Sequence, residues 1–362
     1  MWTYYNPVQV HAGVGALEVL PRLLGERRAI LLCFPQARSL GLIEQMQQML
    51  GERLVAVETD IQPNPDVQWL APMYERLWRE HPDVDCVIAL GGGSVIDCAK
   101  VMLSRTESGQ FAQLMAWMDG SAATNLANRH RRLLAIPTTA GTGSEVTPWA
   151  TVWDQAQGRK LSLQMPWTWP EAAIIDAQLM TSLPTQATVA SALDALSHAL
   201  ESLWNVHRNP VSAALAVAAA RSIVQTLPAL LEQPNALALR ERLATAALQA
   251  GLAFSNTRTA LAHSLSYDIT LEQGTPHGIA CSFSLPKILA LAAGRDAELD
   301  AQLCSIFGAP DVVAAASALE RFLQRVGVST DPAEYGIQPQ EWDQRVQKAL
   351  AGARGRNFIT ST

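Results

Sequence analysis

Four residues in the second half of the chain have the types and spacing to hold a cation. Asp194 and His198 stand four apart in a run that is otherwise apolar, with Ala190, Ala192, Leu193, Ala195, Leu196, Ala199 and Leu200 around them. On a helix that spacing puts both side chains on one face. A carboxylate and an imidazole facing an apolar core are costly to bury without a partner. A structural hydrogen bond between the two would meet that cost, and so would a bivalent cation. His263 and His277 follow in the stretch 262–278. Three imidazoles and one carboxylate suit iron, zinc or a similar borderline metal, and not magnesium or calcium.

Two stretches in the first half have the makings of an anion site. The apolar run 86–90 leads into Gly91, Gly92, Gly93 and Ser94, and a helical pattern follows in which Ser94 and Asp97 are spaced like a capping box. A strand, a glycine turn and a helix N-terminus present backbone N–H groups and a favourable dipole to a phosphate. The turn is neither GxGxxG nor a Walker A loop, so a plain tight turn is the alternative. The second stretch, 137–145, holds Thr138, Thr139, Thr142 and Ser144 together with the small residues Ala140, Gly141 and Gly143. It follows another strand signal, which places it at the carboxyl edge of a sheet, where open α/β folds bind ligands. A flexible polar linker is the alternative there.

These groups need elements to position them. Runs at 29–34, 54–57, 86–90, 133–136 and 173–175 are rich in Leu, Ile, Val and Ala without period-2 polarity. They read as strands buried on both faces of a parallel sheet. A helical pattern at 67–80 lies between two of them, with Asn64 as its cap and Pro65 near its first turn. Alternation of this kind implies a doubly wound, Rossmann-like α/β domain. From Pro184 onward Ala- and Leu-rich segments dominate, at 187–204, 211–232, 236–255 and 279–293. They predict an all-α domain. The expected division is 1–180 and 181–362, and the stretch 354–362 reads as a tail or as a segment packed near the site.

Composition narrows the function. The chain has 362 residues, 49% hydrophobic and 17% charged, with a net charge of −6. That is globular and offers no basic stripe, so a nucleic-acid partner is not expected. Residues 1–7 lack the basic and apolar regions of a signal peptide. No apolar run looks long enough to span a membrane without polar interruption, so no membrane partner is expected. Five scattered cysteines with no CxxC pair fit a reduced, cytoplasmic protein.

Taken together, these residues resemble the iron-containing (group III) alcohol dehydrogenase family. The resemblance spans nearly the whole chain: Asn6-Pro7, 13–17, 63–65, Gly91 to Lys100, 137–145, Leu193 to Glu201 and the His263/His277 segment. It implies a dehydroquinate synthase-like architecture, with an α/β nucleotide domain, a helical metal domain and the active site in the cleft. It implies Asp194, His198, His263 and His277 as ligands of Fe(II) or Zn. It implies Gly92, Gly93 and Ser94 as the pyrophosphate loop of NADPH or NADH, with Thr138, Thr139, Thr142 and Ser144 on the nucleotide and Lys160 and Leu179 near the ribose or nicotinamide. A homodimer joined through the N-terminal strand would fit the family. Two positions depart from its pattern. Tyr267 stands where many members have a further histidine, which puts a proton relay there in doubt; Tyr267 is then either a proton donor or a packing residue. The stretch Cys33 to Arg38 lacks the carboxylate that favours NADH over NADPH.

The segments 256–270 and 276–283 resemble one subgroup, the phosphonoacetaldehyde reductases. That resemblance implies a small, anionic aldehyde as substrate. A phosphonate needs a cation near the metal, and arginine suits a tetrahedral oxyanion. Arg258, five residues before His263, is the first candidate, with Arg356 and Asn357 as others. The alternative for Arg258 is an ion pair with Glu145 or Glu201. Rival readings are another short-chain alcohol dehydrogenase, acting on a diol, hydroxybutyrate or a sulfonate analogue; a dehydroquinate synthase-like lyase; and a non-catalytic metal- or nucleotide-binding protein.

Overall fold

The computed structural model describes residues 1–123 and 126–359. Six parallel strands form the main sheet, in the order Gln9–Ala12, Ala172–Ile175, Arg132–Pro137, Cys86–Gly91, Ala29–Cys33, Leu54–Glu58. The five buried runs of the sequence account for five of them. The reason they lack alternation is visible in the packing. Ile30, Leu32, Val87, Ala89, Leu133 and Ala135 enter one core, while Leu31, Cys33, Ile88, Leu90, Leu134 and Ile136 enter another on the opposite face. Successive side chains of a strand point to opposite faces, so both faces must be apolar where helices cover both. The strand order reverses where Ala29–Cys33 and Cys86–Gly91 lie side by side, which puts the Gly91–Ser94 turn at the switch point of the sheet.

Several local expectations are corrected. The helix at Val67–Glu80 is capped by Asp66, whose side chain accepts from the Gln68 N–H, and not by Asn64. The Ser94/Asp97 capping box does not form. The helix Gly93–Val101 has Gly92 at its cap, Ser94 Oγ accepts from the Asn64 N–H, and Asp97 binds Ser144 and Thr151. Two antiparallel strand pairs were not foreseen: Ser104–Thr106 with Leu126–His130, and the hairpin of Ala150–Asp154 with Arg159–Leu163. The first has a strand too short to leave a pattern. The expected helix at 279–293 is two, His277–Ser282 and Leu285–Ala292, because Pro286 at the start of the second has no N–H to continue the first.

By its contacts the chain forms two compact units. One comprises Pro7–Thr138 and Ser144–Leu179, and the other comprises Met1–Asn6, Thr139–Gly143 and the chain from Met180 on. The second is helical. Thr185–Leu203, Pro210–Glu232 and Leu237–Thr257 pack on one another. Pro210–Glu232 is long and apolar enough to cross a membrane by length and composition, contrary to the sequence reading, with a mean hydropathy of 1.5 over its best window. Its Ala213, Ala216, Ala219, Ala220, Ile223 and Leu227 are buried in the helical core. The chain's first residues pack here too: Tyr4 Oη donates to Leu252 O at 3.2 Å and the Tyr5 N–H to Asn256 Oδ1 at 2.8 Å. The tail is anchored through Asn357, whose Nδ2 donates to Thr259 O at 2.8 Å, and through buried Phe358.

Candidate metal centre and nucleotide loops

The helix Thr185–Leu203 presents Asp194, His198 and Glu201 from one face, and the three residues are 4%, 5% and 0% exposed. Helix Leu261–Gln273 brings His263, and the short helix His277–Ser282 opens with His277. Gly278 lets that short helix come close. A Cβ there would lie 1.8 Å from Ala190 O and 3.1 Å from Asp194 Cβ, so only glycine fits. His263 Nε2 is 3.4 Å from Asp194 Oδ1, and His198 Nε2 is 3.8 Å from the same oxygen. His198 lies parallel to His263 at 4.6 Å between ring centroids, with Phe254 stacked on it at 4.0 Å.

A fourth element of this cluster is a thiol. One ligand atom from each of Asp194, His263, His277 and Cys281 lies within 4.8 Å of the others. Three polar atoms here, Asp194 Oδ1, His198 Nδ1 and His263 Nε2, are buried without a hydrogen-bond partner. Each such atom costs about 1–3 kcal/mol. Two of them, on Asp194 and His263, face each other across 3.4 Å. A cation held by this donor set would satisfy both, so the residues present fit a bivalent metal.

Glu201 organises the cluster, and the sequence reading missed its role. Its Oε1 accepts from the Ala262 and His263 N–H groups at 2.5 and 3.2 Å, and its Oε2 accepts from the Ala260 N–H at 2.9 Å. The helix Leu261–Gln273 has no side-chain cap of its own, so Glu201 caps it from a neighbouring helix. Oε2 also meets His263 Nδ1 at 2.7 Å. A proton on Nδ1 leaves the Nε2 lone pair facing Asp194, as in a carboxylate–histidine–metal relay. Glu201 is thus fully engaged and does not pair with Arg258. Arg258 is exposed, forms no ion pair among the described residues, and has a φ of 66°. Its carbonyl accepts from Asn205 Nδ2 at 3.2 Å.

The electrostatics follow from burial and proximity. Burial raises the Asp194 carboxyl, but His198, His263 and His277 outweigh it and hold the group well below the carboxylate range. Burial pushes His198 down to about 4, against the pull of Asp194. Burial also opposes the Glu201 charge, and the His263 ring together with the backbone N–H groups lowers its pKa below the usual value. Tyr267 stacks nearly parallel to His277, 6.1 Å between centroids, and the Arg354 guanidinium lies 4.8 Å from the Tyr267 ring. Arg354 was not anticipated from sequence.

In the α/β unit the Gly91–Ser94 turn and Thr138 sit at the ends of adjacent strands, and the Thr138 N–H donates to Gly91 O at 3.1 Å. Ser144 Oγ donates to Asp97 Oδ1 at 2.6 Å and accepts from Lys100 Nζ at 2.7 Å. Lys100 is fully buried and also donates to the carbonyls of Ser144 and Trp149, each at 2.7 Å. Burial brings it down to about 8. Asp97, Ser144 and Lys100 thus form an internal brace beneath the loops. Lys160 stands on a hairpin strand 5.5 Å over the Trp153 ring, and Leu179 packs against the sheet core. Thr139 and Thr142 belong to the segment that packs with the helical unit. There a Cβ on Gly141 would lie 2.6 Å from Ser191 O, and Gly143, with φ at 62°, approaches Gly251.

Known proteins are similar to this chain in sequence and fold. Residues 7–177 match the family described as iron-containing alcohol dehydrogenase, and residues 188–362 match the C-terminal domain of the same family. The 1-propanol dehydrogenase of Citrobacter freundii is 30% identical over 80% of this chain and 73% of its own. The phosphonoacetaldehyde reductase of Streptomyces viridochromogenes is 33% identical over 68% of this chain and 66% of its own. The crystal structure of sulfoacetaldehyde reductase from Bifidobacterium kashiwanohense, in complex with NAD+, is 26% identical and superposes with a TM-score of 0.89 over 99% of this chain and 94% of that one. The chain is therefore an oxidoreductase that belongs to the iron-containing alcohol dehydrogenase family.

Proposed function

We propose that the protein reduces a small aldehyde with an anionic tail to the primary alcohol, phosphonoacetaldehyde to 2-hydroxyethylphosphonate being the first substrate to test. The observation that carries the reading is the stack of Tyr267 on His277 with Arg354 over the Tyr267 ring, which sets a guanidinium one aromatic ring away from the metal-type cluster. Arginine is suited to phosphonate and sulfonate oxygens. Two of the relatives described above are named for aldehydes with such tails. Arg258, exposed and without an ion pair among the described residues, is the second candidate for the tail. A reductase of an uncharged aldehyde is the competing reading, favoured by the 1-propanol dehydrogenase relative.

In this reading Asp194, His198, His263 and His277 hold Fe(II) or Zn, and in the α/β unit the Gly91–Ser94 turn with Thr138, Lys160 and Leu179 contacts the nucleotide, braced from beneath by Asp97 and Ser144. A bound bivalent metal supplies Lewis acidity to a carbonyl oxygen, and NADPH or NADH supplies the hydride. The chain's own residues do the rest. Glu201 keeps the His263 ring in one tautomer and orientation. Phe254 covers His198 and keeps water from that side. Tyr267, beside His277, is the candidate for handing a proton to the product oxygen through its hydroxyl. The stretch Phe34–Arg38 has no carboxylate to repel a 2′-phosphate, and Arg38 is exposed with only a 3.9 Å contact to Glu44, which favours NADPH. The edge strand Gln9–Ala12 suits pairing with a second copy in a homodimer, and the free thiols suit a reducing cytoplasm.

The test is NADPH and NADH consumption by Fe(II)-loaded protein with phosphonoacetaldehyde, sulfoacetaldehyde and propanal. A kcat/KM at least about 10-fold higher for an anionic aldehyde, falling in Arg354→Ala through KM while propanal is unaffected, is the expected result. Equal or better turnover of propanal by the wild type would retire the anionic substrate and leave the enzyme class in place.

A further inference from the structure

We propose that Cys281 is a donor to the metal, binding as a thiolate in a four-donor set with Asp194, His263 and His277 that leaves out His198. The proposal rests on the metal reading above and alters its donor set, since that reading has only imidazole and carboxylate donors. Cys281 stands four residues after His277, so both side chains leave one face of the helix His277–Ser282. Its Sγ is 3.6 Å from His277 Nε2. Nitrogen and sulfur ligands of a tetrahedral zinc, at about 2.1 and 2.3 Å from the metal, stand about 3.6 Å apart. The same geometry sets nitrogen and oxygen ligands about 3.4 Å apart, and His263 Nε2 and Asp194 Oδ1 are 3.4 Å apart. All four donors fall within 4.8 Å of one another.

Two further observations point into this space. Asp194 Oδ1 and His263 Nε2 are buried and unpartnered, on residues 4% and 3% exposed. Cys281 itself is fully buried, and its neighbours across the cluster are ligand-type atoms and not the aliphatic surface that usually surrounds a structural thiol. On binding, the S–H bond breaks, the sulfur keeps the electron pair and donates it to the cation, and the proton leaves to solvent. Sulfur in the donor set moves the preference of the site toward softer cations such as Zn(II) and Co(II).

Cobalt separates the possibilities. Co(II) is loaded into the metal-free full-length protein, and the visible d–d bands report that the metal is bound. A near-ultraviolet thiolate-to-cobalt charge-transfer band reports sulfur. The expected wild-type spectrum has both, and Cys281→Ser keeps the visible bands and loses the ultraviolet one. X-ray absorption of zinc-loaded wild type should show one sulfur at about 2.3 Å, a reading that does not depend on whether any variant folds. Visible bands without the charge-transfer band, or a band that survives in Cys281→Ser, would overturn the thiolate and leave the metal site standing. Failure of the wild type to take up cobalt or zinc would overturn the metal reading and the thiolate with it.

Discussion

The two units bury charge in opposite ways. In the helical unit Asp194 and Glu201 are compensated by the imidazoles of His198 and His263 across 2.7 to 3.8 Å, and the unpartnered Asp194 Oδ1 and His263 Nε2 face each other. In the α/β unit Lys100 is surrounded by neutral oxygens, with Asp97 3.9 Å away, and Glu145 is buried without a close ion pair among the described residues. The first arrangement gathers the donor set of the proposed metal site from side chains. The second braces loops that expose backbone N–H donors and hydroxyls, the groups the proposed nucleotide site would use. Side chains of the helical unit should therefore decide metal affinity, and buried charges of the α/β unit should decide stability and loop shape.

The sharpest way to break that contrast is to remove the shared carboxylate. Asp194→Ala takes away the oxygen that faces both His198 and His263. Metal content should fall to background, and turnover should drop by about 10³-fold, the scale of losing a group that stabilises charge in the transition state. Metal analysis beside steady-state kinetics checks it. Full metal content with unimpaired turnover would show that the cluster is merely structural.

Next comes the residue behind the ligands. Glu201 touches the ring of His263 and not the cation position, so its replacement should weaken metal binding by about 10- to 100-fold without changing which donors are used. Glu201→Gln keeps a hydrogen-bond acceptor for Nδ1 and should retain more affinity than Glu201→Ala, which also uncaps the helix Leu261–Gln273. Zinc titration of the metal-free variants measures the difference. Equal affinity in wild type and both variants would mean that the His263 ring needs no support.

These residues also show what the sequence could and could not reveal. The strands at 29–33 and 86–91 were legible because a sheet covered on both faces demands unbroken apolar runs. Asp194 and His198 were legible because polar residues at helical spacing stand out in an apolar segment. Glu201 lies in the same segment, three residues on, yet its partners come from residues 260–263, and such contacts leave no spacing signal. Cys281 reads as one more small apolar residue until His277 and Asp194 are seen beside it. Arg354 is 77 residues from His277 in sequence, and only the docked tail brings it to the Tyr267 ring. Ser94 and Asp97 had cap spacing, but Asn64 and Ser144 offered better partners from elsewhere in the fold.

The smallest expected effect concerns the other unit. Burial raises the Glu145 carboxyl from 4.5 to about 7, against a hydrogen bond from its own backbone N–H and the charge of Lys100. A folded-state value above the unfolded one means that the native protein holds the proton more tightly between those limits. Stability is therefore lost as pH rises from about 4.5 to about 7, and the cost is fully present above that. Glu145→Gln keeps the shape and removes the charge. It should stabilise the protein by roughly 2 kcal/mol at pH 8 and by close to nothing at pH 4, the shift setting the upper bound. Denaturant melts at the two pH values read this directly. Asp194→Asn makes the opposite control in metal-free protein. Its carboxylate is held low by the imidazoles, so its contribution is present at neutral pH and is lost as pH falls. A gain at position 145 with a loss at position 194, both measured at neutral to mildly alkaline pH, is what charge bracing in one unit and charge pairing in the other require. The same sign at both positions would erase the distinction.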